Sequence, residues 1–243
     1  MSNPTAAMLI IGDEILSGRT REGNAHYLAG RLDRVGIDLK EMRVVGDDRD
    51  TIVAAVKELK AGHNHLFTSG GIGPTHDDIT ADCVAEALGA GIDVRSDARA
   101  LLETHYERQN IELNAARLRM ARIPDGAVLI ENPVSAAPGF SLENVHVMAG
   151  VPTIFQTMVE TLLPKLTGGQ PLMSDSVHVE MAEGDIAKPL GEIAAAHPET
   201  QIGSYPYYAG GRYAANVVVR ARNREDLALV MDAVREAFRG GIA

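Results

Sequence analysis

A glycine-rich loop set between an apolar run and a helical pattern constrains this chain more than any other stretch. His65-Leu66-Phe67-Thr68-Ser69 is short and apolar enough for a buried strand, and Ala81-Asp82-Cys83-Val84-Ala85-Glu86-Ala87-Leu88 has helical spacing. Between them lies Gly70-Gly71-Ile72-Gly73-Pro74-Thr75-His76-Asp77-Asp78-Ile79-Thr80. A glycine loop joining a strand end to a helix start offers bare backbone N–H groups, and the positive end of a helix dipole, to a phosphate. Two adjacent carboxylates suit a hydrated divalent cation, so loop and acids together point to a metal-assisted phosphate site. The alternative is ordinary punctuation: Gly and Pro make turns, and an Asp before a helix is often only its cap.

The same order of strand, loop and helix recurs. The apolar run Thr5–Ile11 leads into Gly12-Asp13-Glu14-Ile15-Leu16-Ser17-Gly18. Asn24 reads as the cap of a helix carrying Ala25, Leu28, Ala29, Leu32 and Val35 on one face, which Gly36 ends. Asp38–Val45 reads as the next strand, followed by Gly46-Asp47-Asp48-Arg49-Asp50 and a helix bearing Ile52, Val53, Val56 and Leu59. Such alternation predicts a parallel sheet covered on both faces, with ligands beyond the carboxyl ends of its strands. The three acidic, glycine-containing loops fall at those ends.

Further on, 96–120 reads as helical, Ile123-Pro124-Asp125-Gly126 as a turn and 127–130 as a short strand. Asn132-Pro133-Val134-Ser135-Ala136-Ala137-Pro138-Gly139-Phe140 leads to a hairpin, and Gly150-Val151-Pro152 is another strand-to-helix turn. A linker over 164–171 separates an expected α/β domain, 1–167, from a companion, 172–243, whose elements run β-α-β-β-α. The expected fold is therefore a three-layer α/β/α domain with a mostly parallel sheet, followed by a small α+β domain.

A formal net charge of −10 argues against nonspecific attraction to nucleic acid or anionic lipid. No GxxG loop with basic flanks supports a KH-type reading of the companion segment. No apolar run approaches the roughly 20 residues that span a bilayer, and the start carries no basic leader, so a cytoplasmic location is expected. The single cysteine, Cys83, lies on a helical pattern among Ala and Val and reads as a packed thiol. His63 and His65 lack zinc-spaced partners and read as structural. Four of the six tyrosines are Tyr205, Tyr207, Tyr208 and Tyr213; they suit either stacking on a ligand ring or packing on a sheet face or between domains.

Thr68-Ser69-Gly70-Gly71-Ile72-Gly73-Pro74-Thr75-His76-Asp77-Asp78-Ile79-Thr80 resembles the signature of MoaB/Mog-type molybdopterin-binding domains. More closely, it is similar to the amino-terminal domain of the CinA (competence/damage-inducible) family and to the related domain of eukaryotic FAD synthases. The resemblance extends through Gly12 to Gly18, Asn24, Val45-Gly46-Asp47, the Asn132 to Phe140 loop and Gly150-Val151-Pro152, and the companion segment resembles the small domain that follows in this family. Two positions depart from the CinA pattern. Ser135 stands where Gly is commoner, and His76 replaces a Lys or Arg, as in the FAD-synthase version.

The resemblance implies a Mog-like fold and a catalytic acidic pair, Asp47 and Asp78. It implies a divalent cation (Mg²⁺, Mn²⁺ or Co²⁺) held by Asp77, Asp78 and Asp47, and phosphate or ligand contacts from Gly12, Glu14, Asn24, Ser69, Gly70, Gly71, Gly73, Thr75, Asn132 and Gly150. Glu14 reads equally as a turn acid, Asp48 and Asp50 as solvated or capping groups, and His76 as a phosphate aid or a surface histidine. The expected partner is a small nucleotide or pterin phosphate, with neither nucleic acid nor membrane, and such domains usually form oligomers, so a homo-oligomer is expected. Three functions are weighed: a metal-dependent pyrophosphatase for an ADP-ribose or FAD type of substrate, molybdopterin binding or adenylylation, and a non-catalytic nucleotide-binding regulatory module. The deamidase domain of full-length CinA proteins and the FAD-synthesising domain of the eukaryotic proteins have no counterpart here, so neither activity is expected.

Overall fold

The computed structural model describes residues 2–209 and 212–241, which divide into two compact units, Met1–Gly169 and Gln170–Ala243. The first opens with β1 (Thr5–Ile11), the single-turn α1 (Asp13–Leu16), α2 (Asn24–Arg34), β2 (Asp38–Val45), α3 (Arg49–Gly62), β3 (His65–Ser69) and α4 (Thr80–Leu88). It continues through β4 (Ile92–Val94), α5 (Ser96–Arg108), α6 (Ala115–Leu118), β5 (Arg122–Pro124), β6 (Val128–Ile130), β7 (Gly139–Leu142), β8 (Val145–Met148) and α7 (Pro152–Leu162). Six strands form one sheet in the order β2-β1-β3-β8-β7-β6. The pairs from β2 to β8 are parallel, and the two pairs that involve β7 are antiparallel.

Strand β1 shows why the sequence runs apolar without alternation. Ala7, Leu9 and Ile11 enter a core layer with Ile52, Val56 and Leu59 of α3 and Val84 of α4. Ala6, Met8 and Ile10 enter the opposite layer with Leu28 and Leu32 of α2 and Phe155 and Met158 of α7. A strand buried on both faces needs apolar side chains at every position. Each fully buried Leu, Ile, Met or Phe contributes about 2 kcal/mol relative to exposure.

The second unit holds β9 (Met173–Val179), α8 (Glu183–Ala196), β10 (Gln201–Ala209), β11 (Arg212–Ala221) and α9 (Arg224–Ala237). Its antiparallel sheet has the order β10-β11-β9, and Val179, Val217 and Val219 pack with Ile186 of α8 and Val230, Val234 and Phe238. The fold class is the expected one: a mostly parallel α/β sheet covered by helices, then a small α+β unit.

Several local readings change. The stretch 96–120 is not one helix: Asn110 takes a positive φ of 54°, which ends the helical path after α5 and leaves α6 as a separate short piece. Of the turn read over Ile123-Pro124-Asp125-Gly126, Ile123 and Pro124 belong instead to strand β5 paired with β4, a ribbon whose three-residue strands are too short to show periodicity. Strand β10 continues through Tyr205-Pro206-Tyr207-Tyr208, and its edge position accommodates Pro206, which has no N–H to donate. The four clustered tyrosines are exposed; Tyr208 meets Tyr213 at 5.0 Å between ring centroids, and the Tyr207 hydroxyl lies 2.5 Å from His178 Nδ1.

Candidate functional site

Because β2, β1, β3 and β8 run parallel side by side, the loops that leave their carboxyl ends emerge at one end of the sheet. Gly12 follows β1, Gly46-Asp47 follow β2, Gly70 follows β3 and Gly150 comes shortly after β8. Backbone bonds hold these exits together: Gly12 N–H donates to Val45 O and Gly70 N–H to Met148 O, both at 3.1 Å. Gly70 has φ +108°, and a Cβ there would lie 2.1 Å from the Ile11 carbonyl oxygen. Only glycine lets the β3 loop lie so close to the end of β1.

Beyond Gly70, the N–H groups of Gly71, Ile72 and Gly73 donate to no protein acceptor among the described residues. Consecutive unclaimed N–H groups in a loop with a left-handed member, Gly71 at φ +67°, form a concavity suited to an anion. The loop is then closed by its own side chains. Asp78 Oδ2 accepts the Thr75 N–H at 2.8 Å and the Thr75 hydroxyl at 2.5 Å, while Thr80 N–H returns to Gly71 O at 3.0 Å. Asp78 caps no helix: the residue preceding α4 is Ile79, and α4 has no side-chain cap.

The expectation that Asn24 caps α2 is corrected. Gly23 occupies the cap position, and Asn24, buried at the first helical residue, donates through Nδ2 to Ser69 Oγ at 2.8 Å and to Gly150 O at 2.7 Å. Its Oδ1 is buried with no partner, at a small cavity of about 50 Å³ that Ser69, Gly150, Glu14 and Thr20 also line. Asn132 shapes a second wall. Its Nδ2 donates to Ser135 Oγ at 2.6 Å and Ala137 O at 2.9 Å, and its Oδ1 accepts the Val134 N–H at 3.1 Å.

The acids take distinct places. Asp47 Oδ2 accepts the Asp13 N–H at 3.0 Å. Burial raises the Asp47 carboxyl above its ordinary range, the Asp13 N–H works the other way, and the charges of Asp13, Glu14 and Asp77 push it further up. Asp77 and His76 are exposed, with His76 Nδ1 3.9 Å from Asp77 Oδ1. Among the described residues no three His, Cys, Asp or Glu side chains come close enough to cage a metal, so Asp47, Asp77 and Asp78 share one end of the sheet without forming one cage. Asp48 caps α3 by accepting the Thr51 N–H at 2.9 Å.

A cleft of about 490 Å³ runs along the glycine loop. Gly70, Gly71, Gly73, Glu14, Asp78, Asn132 and Gly150 line it together with Ile72, Met120, Val151, Pro152 and Ile154. Gly12, Asn24, Ser69, Thr75, Asp47 and Asp77 lie outside that lining. Met120, Thr20 and Ile154 were missed from the sequence because no local pattern marks them; they reach the cleft from segments whose approach is set by tertiary packing. No helix among the described residues is long and apolar enough to cross a membrane.

Residues 7–198 match the family model described as probable molybdopterin binding domain, and residues 171–243 match the middle domain of FAD synthase. The chain is 29% identical to a probable FAD synthase of Caenorhabditis briggsae over 263 aligned positions, covering 98% of this chain and 50% of that protein. It is 40% identical to a CinA-like protein of Citrifermentans bemidjiense over 167 positions, covering 67% of this chain and 40% of that one. The crystal structure of CinA from Thermoplasma acidophilum, a protein of unknown function, superposes with a TM-score of 0.61 at 31% identity, over 67% of this chain and 97% of that one. The chain thus spans about half the length of the curated FAD synthases it matches.

Proposed function

The chain belongs to the molybdopterin-binding-domain family and is CinA-like within it, and from that premise we propose that it is a metal-dependent pyrophosphatase acting on a nucleoside diphosphate derivative of the ADP-ribose or FAD type. The observation that carries this reading is the two-sided cleft. One side offers unclaimed N–H groups from Gly71 to Gly73, and the other is apolar through Val151, Pro152, Ile154 and Met120. A nucleotide has the same two-sided character, and the volume falls within the usual few hundred cubic ångströms of ligand pockets.

The donor set fits a hydrated divalent cation shared with substrate phosphates better than an all-protein cage. Asp47 is burdened by same-sign neighbours, and no third ligating side chain closes on it. Asp47 and Asp77 would hold that cation, which when bound would neutralise phosphate charge and render a water more acidic. The chain's own groups then divide the work. Gly71, Ile72 and Gly73 donate to phosphate oxygens as negative charge develops there. The Thr75–Asp78 clasp holds those donors in place before the substrate arrives. Asp47 Oδ1, which no group among the described residues engages, receives the proton of the attacking water. Val151, Pro152 and Ile154 cover the ring and keep water from that side of the cleft.

The test is incubation with ADP-ribose, FAD and related dinucleotides, with and without Mg²⁺, Mn²⁺ or Co²⁺, beside an Asp47→Asn control. Metal-dependent release of AMP that the variant loses supports the hydrolase and ranks its substrates. A second reading, molybdopterin handling, is favoured by the family description itself. It predicts tight pterin-phosphate binding in the same cleft and no AMP under any metal. Tight nucleotide binding without turnover would instead favour a regulatory module.

A further inference from the structure

Arg119 sits on the back of the glycine loop. It opens the 3-10 turn Arg119–Ala121, which is anchored by fully buried Ala121 and by the bond from Arg95 N–H to Ala121 O at 2.9 Å. The guanidinium makes one long protein contact, Nη2 to the Asp78 carbonyl oxygen at 3.3 Å, and its Nε is buried without any acceptor. No carboxylate pairs with it among the described residues. Its neighbour Arg122 is committed to Asp82. Both arginines line a small cavity whose other wall is Gly71, Gly73 and Asp78, the residues that also border the large cleft.

A buried donor without a partner is costly, more so on a cation; the cavity beside Nε, about 20 Å³, admits a water, so an anion arriving at the loop would be met by the terminal N–H groups of the guanidinium. The chain carries a net charge of −10, and Asp13, Glu14, Asp47 and Asp77 face the same end of the sheet. An anionic substrate therefore needs a fixed cation nearby. Of the two arginines that line the small cavity, Arg119 is the one that no acid among the described residues pairs with, and its planar fork matches two phosphate oxygens at once.

We infer that Arg119 is the phosphate anchor of this site, donating through its terminal N–H groups to a diphosphate that straddles the Gly71–Gly73 loop, with the ring end of the ligand in the apolar cleft. The inference rests on the pyrophosphatase reading and adds to it a residue and a direction: ring towards Ile154, distal phosphate towards Arg119.

The test measures calorimetric affinity of the full chain for inorganic pyrophosphate with Mg²⁺, using wild type, Arg119→Gln and Arg119→Lys. Thermal unfolding of each variant reports any loss of fold. The expected result is a loss of tenfold or more in pyrophosphate affinity for Arg119→Gln and incomplete rescue by Arg119→Lys, which lacks the fork. Unchanged affinity in a folded Arg119→Gln, or wild-type protein that does not bind pyrophosphate, overturns the inference. Turnover of FAD and ADP-ribose is scored on the same samples. Wild type that binds pyrophosphate through Arg119 without cleaving either dinucleotide supports the anchor and overturns the hydrolase.

Discussion

Asn24 Nδ2 lies 2.8 Å from Ser69 Oγ and, through its second proton, 2.7 Å from the carbonyl of Gly150. One side chain at the start of α2 thereby ties the exit of β3 to the turn before α7. Asn24→Ala should cost about 1–3 kcal/mol, because two bonds disappear and the Ser69 hydroxyl stays buried. Urea denaturation measures the cost, and an equal midpoint for variant and wild type would show that the link is idle.

Gly70→Ala should be more damaging. The methyl group would meet the Ile11 carbonyl oxygen at 2.1 Å, at a φ that side chains rarely adopt. A loss of about 3 kcal/mol or more is expected, from backbone strain and displaced strands together. Chemical denaturation checks the stability, and ligand affinity should fall with it.

Stability should depend on His146, buried beside the half-buried His65. His146 Nε2 stands 3.1 Å from His65 Nδ1, and His146 Nδ1 stands 2.9 Å from Ser141 Oγ. Burial first, and the His65 charge second, push His146 down to about 3 from its ordinary 6.5. A group whose folded value is depressed leaves the unfolded chain binding protons that the folded chain refuses, so stability is lost as pH falls from about 6.5 towards about 3. Between about pH 7 and about pH 5 the loss should approach 2 kcal/mol, and His146→Gln should flatten that slope. Denaturation series at the two pH values settle the slope.

Asp47→Asn should separate stability from chemistry. Burial and the charges of its neighbours disfavour its ionised form, so the neutral amide should leave the melting temperature unchanged or slightly higher. On the pyrophosphatase reading, metal-dependent turnover should drop by about 10²-fold or more, since that reading assigns Asp47 the proton of the attacking water. Full turnover by the variant would remove Asp47 from the mechanism.

Cys83 should resist thiol reagents in the native state. The residue is buried in the core layer beside α3, and burial pushes its thiol up to about 11. Reaction should appear only under denaturing conditions, and labelling of native protein followed by mass spectrometry tests this.

The parallel sheet was legible because β1 reads apolar from Ala6 to Ile11, a signature that burial on both faces imposes. The glycine loop was placed correctly between strand and helix because Gly70 and Gly71 take backbone angles that few other residues tolerate. What stayed hidden depends on contacts between distant segments. Asn24 looks like a cap from its neighbours alone, whereas its partners lie 45 and 126 residues away. The β4–β5 ribbon escaped because three-residue strands carry almost no periodicity, and the break at Asn110 because a left-handed asparagine is not distinguishable from a helical one by spacing. Arg119 lay inside a stretch read as helical, and its missing partner is visible only once Asp78 and the turn are in place.

Strand β3 pairs with β8, yet α4, α5, α6, the β4–β5 ribbon and strands β6 and β7 intervene in the chain before β8 is reached. The wall that Gly150 and Pro152 give the cleft is therefore the last part of it to be synthesised and must close over a long excursion, which makes the contact expensive in chain entropy and slow to form. A ribosome-bound or truncated chain that stops short of β8 holds the glycine loop without its opposing wall. Ligand affinity in this protein thus reports on completion of the whole first unit, and a nick in the excursion should be felt at the cleft before it is felt in the helical content.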